Sequence, residues 1–308
     1  MIRLLAALVL IGVSVNAQTI TETFGTGANE FSIDFVTIGN PGNAADTTGT
    51  PNPAGSVNYV YNIGKYEVSR DMIDKANAAA GLGITMRDMT AYGGNGPNRP
   101  ADSVWWYDAA RFVNYLNISQ GFSPAYRFDA TGNFQLWTSA SMGFDPGNPF
   151  RNLLAKFRLP TIDEWYKAAY GSPDGTWFNY PNGSDEKPLA VPGGTDPNTA
   201  VYAQPGSQGP ADITNAGGLS AWGTMAQGGN VYEWTETAAD GVNDDVGENR
   251  MIRGGSWGQD GNMLSHADGS GGLGGGGFGF RVAMVPEPSS LSLLLAGGLV
   301  ALARRRKS

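Results

Sequence analysis

The 308-residue chain has no cysteine and a single histidine, His266. Without a thiol it can form no disulfide, no thiolate metal site and no cysteine nucleophile. One imidazole cannot build a two- or three-histidine metal centre within one chain. Charge is scarce as well: 16% of residues are Asp, Glu, Lys or Arg, against roughly a quarter in ordinary soluble domains. Long helical periodicities are few, and no fixed-period repeat is found. What remains is 45 glycines, 18 prolines and a hydrophobic content of 41% with 11% aromatics. The apolar share supports a real core. The glycines, spread among Trp and Tyr, predict a loop-rich globular fold rather than a helical bundle or a disordered chain.

The two ends read as addresses. Residues 1–17 carry Arg3, an apolar run from Leu4 to Val13 and the small-residue pattern Val15-Asn16-Ala17. These are the parts of a secretory signal peptide cut after Ala17. At the other end Pro286-Glu287-Pro288 precedes an apolar run from Leu291 to Ala303 and a basic tip from Arg304 to Lys307. Motif, run and tip, in that order, resemble the PEP-CTERM sorting signal of Gram-negative bacteria. The resemblance implies transient anchoring in the inner membrane by residues 286–308 and cutting by an exosortase-type processing enzyme. The expected destination of the body, residues 18–285, is the cell surface or the extracellular matrix. A plain C-terminal anchor is the alternative. Export does not require cysteine, because an oxidising compartment permits disulfides without demanding them.

The formal charge of the whole chain is −8. Loss of both ends would remove Arg3, Arg304, Arg305, Arg306, Lys307 and Glu287, leaving 15 basic and 27 acidic residues, a balance of −12. Such a surface disfavours nucleic acid and anionic membranes. It is compatible with cations and neutral glycans.

Within the body, FSIDFVTI (31–38) alternates at its start and predicts a strand. A loop over 40–55 follows, then a strand pair over 57–69 turning near Asn62 to Lys65. Ser69 is placed to cap a helix over about 70–80. DSVWWYDAARFVNYLN (102–117) is the clearest helix, with Asp102 or Ser103 as its cap. Its inner stripe is Trp105, Ala109, Phe112 and Leu116. FRLPTIDEWYKAAYG (157–171) is a second helix, with a Thr161/Glu164 capping box, Gly171 as its end and Ile162, Trp165 and Ala169 inward. Turns fill 172–228. MIRGGSW (251–257) and FGFRVAM (278–284) read as short strands around a glycine-rich loop.

IGKYEVS, DSVWWYDAARFVNYL, FRLPTIDEWYKAAYG, GGNVYEW, IRGGSW and GFR (279–281) occur in this order. Together they resemble the formylglycine-generating enzyme, or sulfatase-modifying-factor, domain family over roughly residues 31–284. The resemblance implies a single irregular, loop-rich α+β domain similar to the C-type lectin fold. In that family the founding enzymes oxidise a sulfatase cysteine through two copper-holding cysteines set between the GGSW-like and GFR motifs. Here that interval, residues 258–277, has none, and His266 alone cannot hold copper(I) tightly. Iron held by several histidines, used by a related branch, is likewise not expected.

The resemblance also bears on GGNVYEW (228–234). In relatives the equivalent loop binds calcium, which carried over would use the Glu233 carboxylate with main-chain oxygens of Gly229 and Val231. Hard cations take such oxygen ligands. Where relatives place a further Asp or Asn, this chain has Ala226. The alternative is internal: Glu233 accepts backbone amides or pairs with a buried arginine, Arg253 or Arg281. Tyr232 stands where relatives place a groove-lining aromatic, and Trp257 and His266 are further groove candidates. Trp234 and Trp257 also read as core, His266 as solvated or locally hydrogen-bonded, and Arg281 as a packing residue. The leading expectation is a non-catalytic recognition or structural module engaging extracellular polysaccharide or a surface protein. The alternative is a formylglycine-generating-type oxidoreductase or another enzyme of the superfamily.

Overall fold

The computed structural model describes residues 19–268, 271–272 and 278–285. The expected signal peptide, the sorting tail and most of the glycine-rich loop lie outside the described residues. In chain order the strands are β1 (Thr19–Phe24), β2 (Phe31–Ile38), β3 (Tyr61–Gly64), β4 (Arg127–Phe128), β5 (Phe134–Gln135), β6 (Phe157–Arg158), β7 (Leu189–Ala190), β8 (Thr199–Ala200), β9 (Tyr232–Ala238), β10 (Arg250–Arg253), β11 (Gly271–Gly272), β12 (Phe278–Phe280) and β13 (Ala283–Met284). The α-helices are α1 (Arg70–Ala80), α2 (Trp106–Ser119) and α3 (Ile162–Tyr170).

Five strands make an antiparallel sheet in the order β1-β2-β3-β13-β6. Four make a second sheet, β11-β10-β9-β12, in which β12 runs parallel to β9. The first sheet is covered on both sides, and the sequence of β2 shows why. Phe31, Ile33 and Phe35 alternate onto a core shared with Ala109, Phe112, Val113 and Leu116 of α2. Val36 and Ile38 point the other way, into a cluster with Tyr61, Ile63, Ala168 of α3 and Trp222. A strand buried on both faces loses its polar alternation, which is what happens after Asp34. Each such large apolar side chain contributes about 1.5–3 kcal/mol by leaving water.

Side-chain hydrogen bonds tie the helices to the sheets. Asn117, fully buried in α2, donates to the Phe157 carbonyl (2.8 Å) and accepts from the Lys156 and Phe157 amides (2.9 and 3.0 Å). Trp106 Nε1 donates to the Thr235 carbonyl (2.9 Å) and Trp234 Nε1 to the Val104 carbonyl (2.8 Å), fixing the start of α2 against β9.

The structure corrects three local expectations. Residues 61–64 form one strand, not a turn between two, because Tyr61, Asn62, Ile63 and Gly64 pair with β2 along their whole length. Helix α2 starts at Trp106, with no side-chain cap. Asp102 instead lies 3.5 Å from Arg87. The buried tryptophan of that helix is Trp106, while Trp105 stays 56% exposed. Third, the end of GGNVYEW is strand: β9 begins at Tyr232 and all seven of its residues are buried. By contrast Ser69 caps α1 through the Met72 amide, and the Thr161/Glu164 capping box of α3 is complete.

Candidate functional site

The chemistry-bearing residues separate into a buried network and an open groove. The network starts at GGNVYEW. Gly229 has φ +86°, and a Cβ there would lie 2.3 Å from the Val201 carbonyl oxygen, so only glycine fits. Asn230 follows at φ +58°, a conformation Asn tolerates better than most residues. Its side chain accepts from the Ala211 amide (2.7 Å) and donates to Glu67 Oε2 (2.6 Å). Glu67 also accepts from the Val231 amide (3.2 Å).

Two residues on, Glu233 is completely buried. Its Oε2 accepts from Arg281 Nε (2.6 Å) and Trp165 Nε1 (2.6 Å), and its Oε1 from Arg281 Nη2. The fork is bidentate, the strongest geometry for this pair. The remaining Arg281 donors reach the Gly64 carbonyl (2.8 Å) and the Met225 carbonyl (2.9 Å). Burial and the nearby Glu233 charge push the Glu67 carboxyl well above the usual range, with Arg281 opposing them. Among the described residues, Arg281 pairs directly with Glu233 alone, while Glu67 is held by Asn230 and the Val231 amide.

This geometry bears on calcium. A Ca²⁺ ion at Glu233 needs a carboxylate oxygen free to coordinate. Both oxygens are already committed to Arg281 and Trp165, and the guanidinium stands where a cation would. The residues present therefore do not fit a calcium ion held by Glu233 with Gly229 and Val231. Gly229 N–H donates to the Gly254 carbonyl (2.7 Å), closing the loop on the end of β10.

Two further pairs hold buried glutamates, Glu164 of α3 with Arg158 of β6 and Glu236 of β9 with Arg151. Glu164 takes the Arg158 guanidinium and the Tyr59 hydroxyl (2.8 Å), and its other oxygen accepts the Thr161 amide (2.9 Å). Burial alone would raise its pKa, but Arg158 and Arg151 outweigh it and hold the carboxyl below its ordinary value. Glu236 accepts from Tyr126 (2.8 Å) and Asn148 (2.6 Å) and pairs with Arg151 (3.1 Å).

The sequence-derived groove residues are placed apart from one another. Tyr232 is buried edge-on against Phe278, with centroids 5.8 Å apart. Trp257 is buried in a cluster with Met89, Val201 and Val231. His266 is buried too: its Nδ1 lies 3.2 Å from Asp46 Oδ2, beside the Tyr166 hydroxyl, which donates to the same oxygen at 2.6 Å.

The open groove is elsewhere. It has a volume of about 970 Å³ and runs between the 51–59 loop, the start of α3 and the loop following β9. Tyr59, Asn58, Asn148, Asp163, Asp240 and Asn243 supply much of its polar lining. Tyr232, Trp257 and His266 are not among the described lining residues. Asp163 accepts the Gly55 amide at 2.7 Å, and burial pushes its carboxyl up despite that bond. Sequence reasoning missed these residues. Tyr59 read as part of a strand and Asp163 as the first turn of a capped helix. Nothing local says that the 51–59 loop, the start of α3 and the turn at Asp240-Gly241 face one another.

Comparison with known proteins gives the fold and family. Residues 30–285 match the sulfatase-modifying factor enzyme 1-like domain, and residues 285–307 match the PEP-CTERM protein-sorting motif. The chain is 27% identical over 190 residues to a protein named chaperone protein LppX from Paenibacillus barcinonensis, covering 56% of this chain. It spans 60% of the length of that relative. Treponema denticola variable protein 1 superposes with a TM-score of 0.59 at 20% identity, over 87% of this chain and 99% of that one. CarF gives 0.56 at 22% identity, over 83% and 99%, and PvdO from Pseudomonas aeruginosa 0.54 at 17%, over 86% and 98%. At these identities the structural likenesses establish the α+β fold alone. The sorting motif marks an exported protein of Gram-negative bacteria. The chain belongs to the sulfatase-modifying factor enzyme 1-like domain family.

Proposed function

We propose that this exported domain is a non-catalytic binding module of the cell surface or extracellular matrix, and that it takes a neutral glycan segment in the open groove. The observation that carries this is the character of the groove against that of the buried charges. Its described lining has no Lys, Arg or His; its ionisable groups are Tyr59, Asp163 and Asp240, among amides, hydroxyls and backbone. Anionic polymers are disfavoured there by charge. The exposed ring of Tyr59 offers an apolar face of the kind a sugar ring covers, while its hydroxyl stays tied to Glu164. Three buried glutamates are spent on arginines: Glu233 on Arg281, Glu164 on Arg158, Glu236 on Arg151. Absence of every cysteine removes the thiol chemistry of the founding enzymes.

The test is amide hydrogen exchange with and without neutral oligosaccharides from the extracellular polysaccharide of the source cells. Slowed exchange at 55–59 and 239–243 is the expected result. Unchanged exchange at both segments with every oligosaccharide would count against the groove as a glycan site. The enzyme reading keeps one specific observation, the Asp163 carboxyl in the groove, whose pKa burial raises, since a carboxyl with a raised pKa is a candidate general acid. Turnover of the oligosaccharide, abolished in Asp163→Asn, would favour it.

A further inference from the structure

Three large apolar side chains stand out of one loop region with no role in the groove or the core. Met142 is 82% exposed, Leu153 58% and Leu154 47%. They come from two segments laced together: Asn152 Nδ2 donates to the Met142 carbonyl (2.8 Å) and the Leu153 amide to the Gly143 carbonyl (2.9 Å). Leu154 lies directly over Gly143, where a Cβ would come within 2.9 Å of its Cγ. A small folded structure that fixes apolar side chains in water gains nothing from their exposure.

The position of the patch relative to the chain's exit says what covers it. The last described residue, Val285, donates its amide to the Lys156 carbonyl (3.0 Å), continuing the register in which Met284 faces Phe157. Leu154 is two residues from Lys156, so the chain leaves the domain beside the patch. Val285 is itself 38% exposed. The sorting motif starts at this point, and its apolar run begins at Leu291. Six residues span at most about 20 Å when extended. An apolar run inserted in a bilayer therefore holds this edge of the domain against the lipid.

We propose that Met142, Leu153 and Leu154 form a membrane-resting face, which sits in the headgroup–acyl boundary of the bilayer that receives the C-terminal segment. Burial of apolar side chains in that boundary is favourable and needs no specific lipid. The overall charge of the chain, −8, points to contact through the apolar groups rather than to attraction by anionic lipid.

The experiment uses the full chain with phosphatidylcholine vesicles. Flotation measures insertion of the tail, and amide hydrogen exchange of floated protein measures contact by the face. The expected result is several-fold slower exchange over 142–155 than in Met142→Asp/Leu153→Asp, with equal exchange over 180–200 in both. Met142→Ser, at a side chain almost wholly in water, should give an intermediate rate and keeps the test independent of any folding defect. Equal rates over 142–155 in wild type and both variants would overturn the proposal. So would a chain that fails to float. Protection that grows with protein concentration without vesicles would also overturn it, because the face would then join two copies of the chain.

Discussion

At the scale of single residues, Arg281 holds the site together. It answers Glu233 with a bidentate fork, offsets the charge near Glu67, and closes the Gly64 and Met225 carbonyls. Removing one partner of a buried pair strands the other, at a cost of about 3–5 kcal/mol. Arg281→Met is expected to lose at least that much in urea unfolding. A loss under 1 kcal/mol would mean that the network is far less committed than its geometry says. Lys167 makes a different prediction. It is 2% exposed, donates to the Asn40 carbonyl (2.9 Å), and burial lowers its pKa from 10.5 to about 8. Between pH 8 and 10.5 the unfolded chain keeps a proton on this lysine that the folded chain has released. Stability therefore rises with pH across that window and is penalised below it. Relative to Lys167→Met, the wild-type melting temperature should climb from pH 8 to pH 10.5; a flat difference would contradict the assignment. The Glu233–Arg281 pair was legible in the sequence as one of several alternatives, beside calcium, backbone amides and Arg253, because a glutamate between aromatics must find a partner. The choice between Arg253 and Arg281 was not, since it depends on β12 running parallel beside β9.

At the scale of elements, α3 joins the core to the groove. Thr161 and Glu164 close the capping box, Glu164 also carries Arg158 and Tyr59, and Asp163 faces the groove from the same first turn. Thr161→Ala should cost about 1 kcal/mol, the ordinary value of a lost cap. Glu164→Gln should cost clearly more, because it also leaves the buried Arg158 without its counter-charge. Equal losses in chemical denaturation would show that the cap is all Glu164 provides. The elements with local signals were readable. A Ser cap, a capping box and an alternating strand start are written within a few residues. Strand β9 was not readable, because it is buried on both faces and its YEWTETA lacks a clean period. Trp105 and Trp106 are neighbours with similar claims on the helix stripe, and only tertiary contacts decide for Trp106: its hydrogen bond to the Thr235 carbonyl and its packing against Tyr126, Phe134 and Phe150. The short strands β7 and β8 pair in parallel across a loop, which no local pattern announces.

At the scale of the whole molecule, four of the six motif segments converge in space. IGKYEVS supplies Glu67, the α3 segment Trp165, GGNVYEW Asn230 and Glu233, and GFR Arg281, all in the one buried network. These segments build a scaffold, and the groove borrows from them only the first turn of α3, the rest coming from the 51–59 loop, residues 147–148 and the turn after β9. This is why the family was legible in the sequence and the groove was not. Tyr59, Asp163 and Asp240 come together only through the fold. The central claim is that recognition occurs in that groove without a metal at Glu233. Its most direct test is equilibrium binding of the purified protein to extracellular polysaccharide from the source cells, in calcium and in chelator, alongside Asn58→Trp, which fills the groove from an exposed position. Saturable binding that chelator leaves unchanged and that Asn58→Trp abolishes is the expected result. Binding lost in chelator, or retained in full by Asn58→Trp, would contradict it.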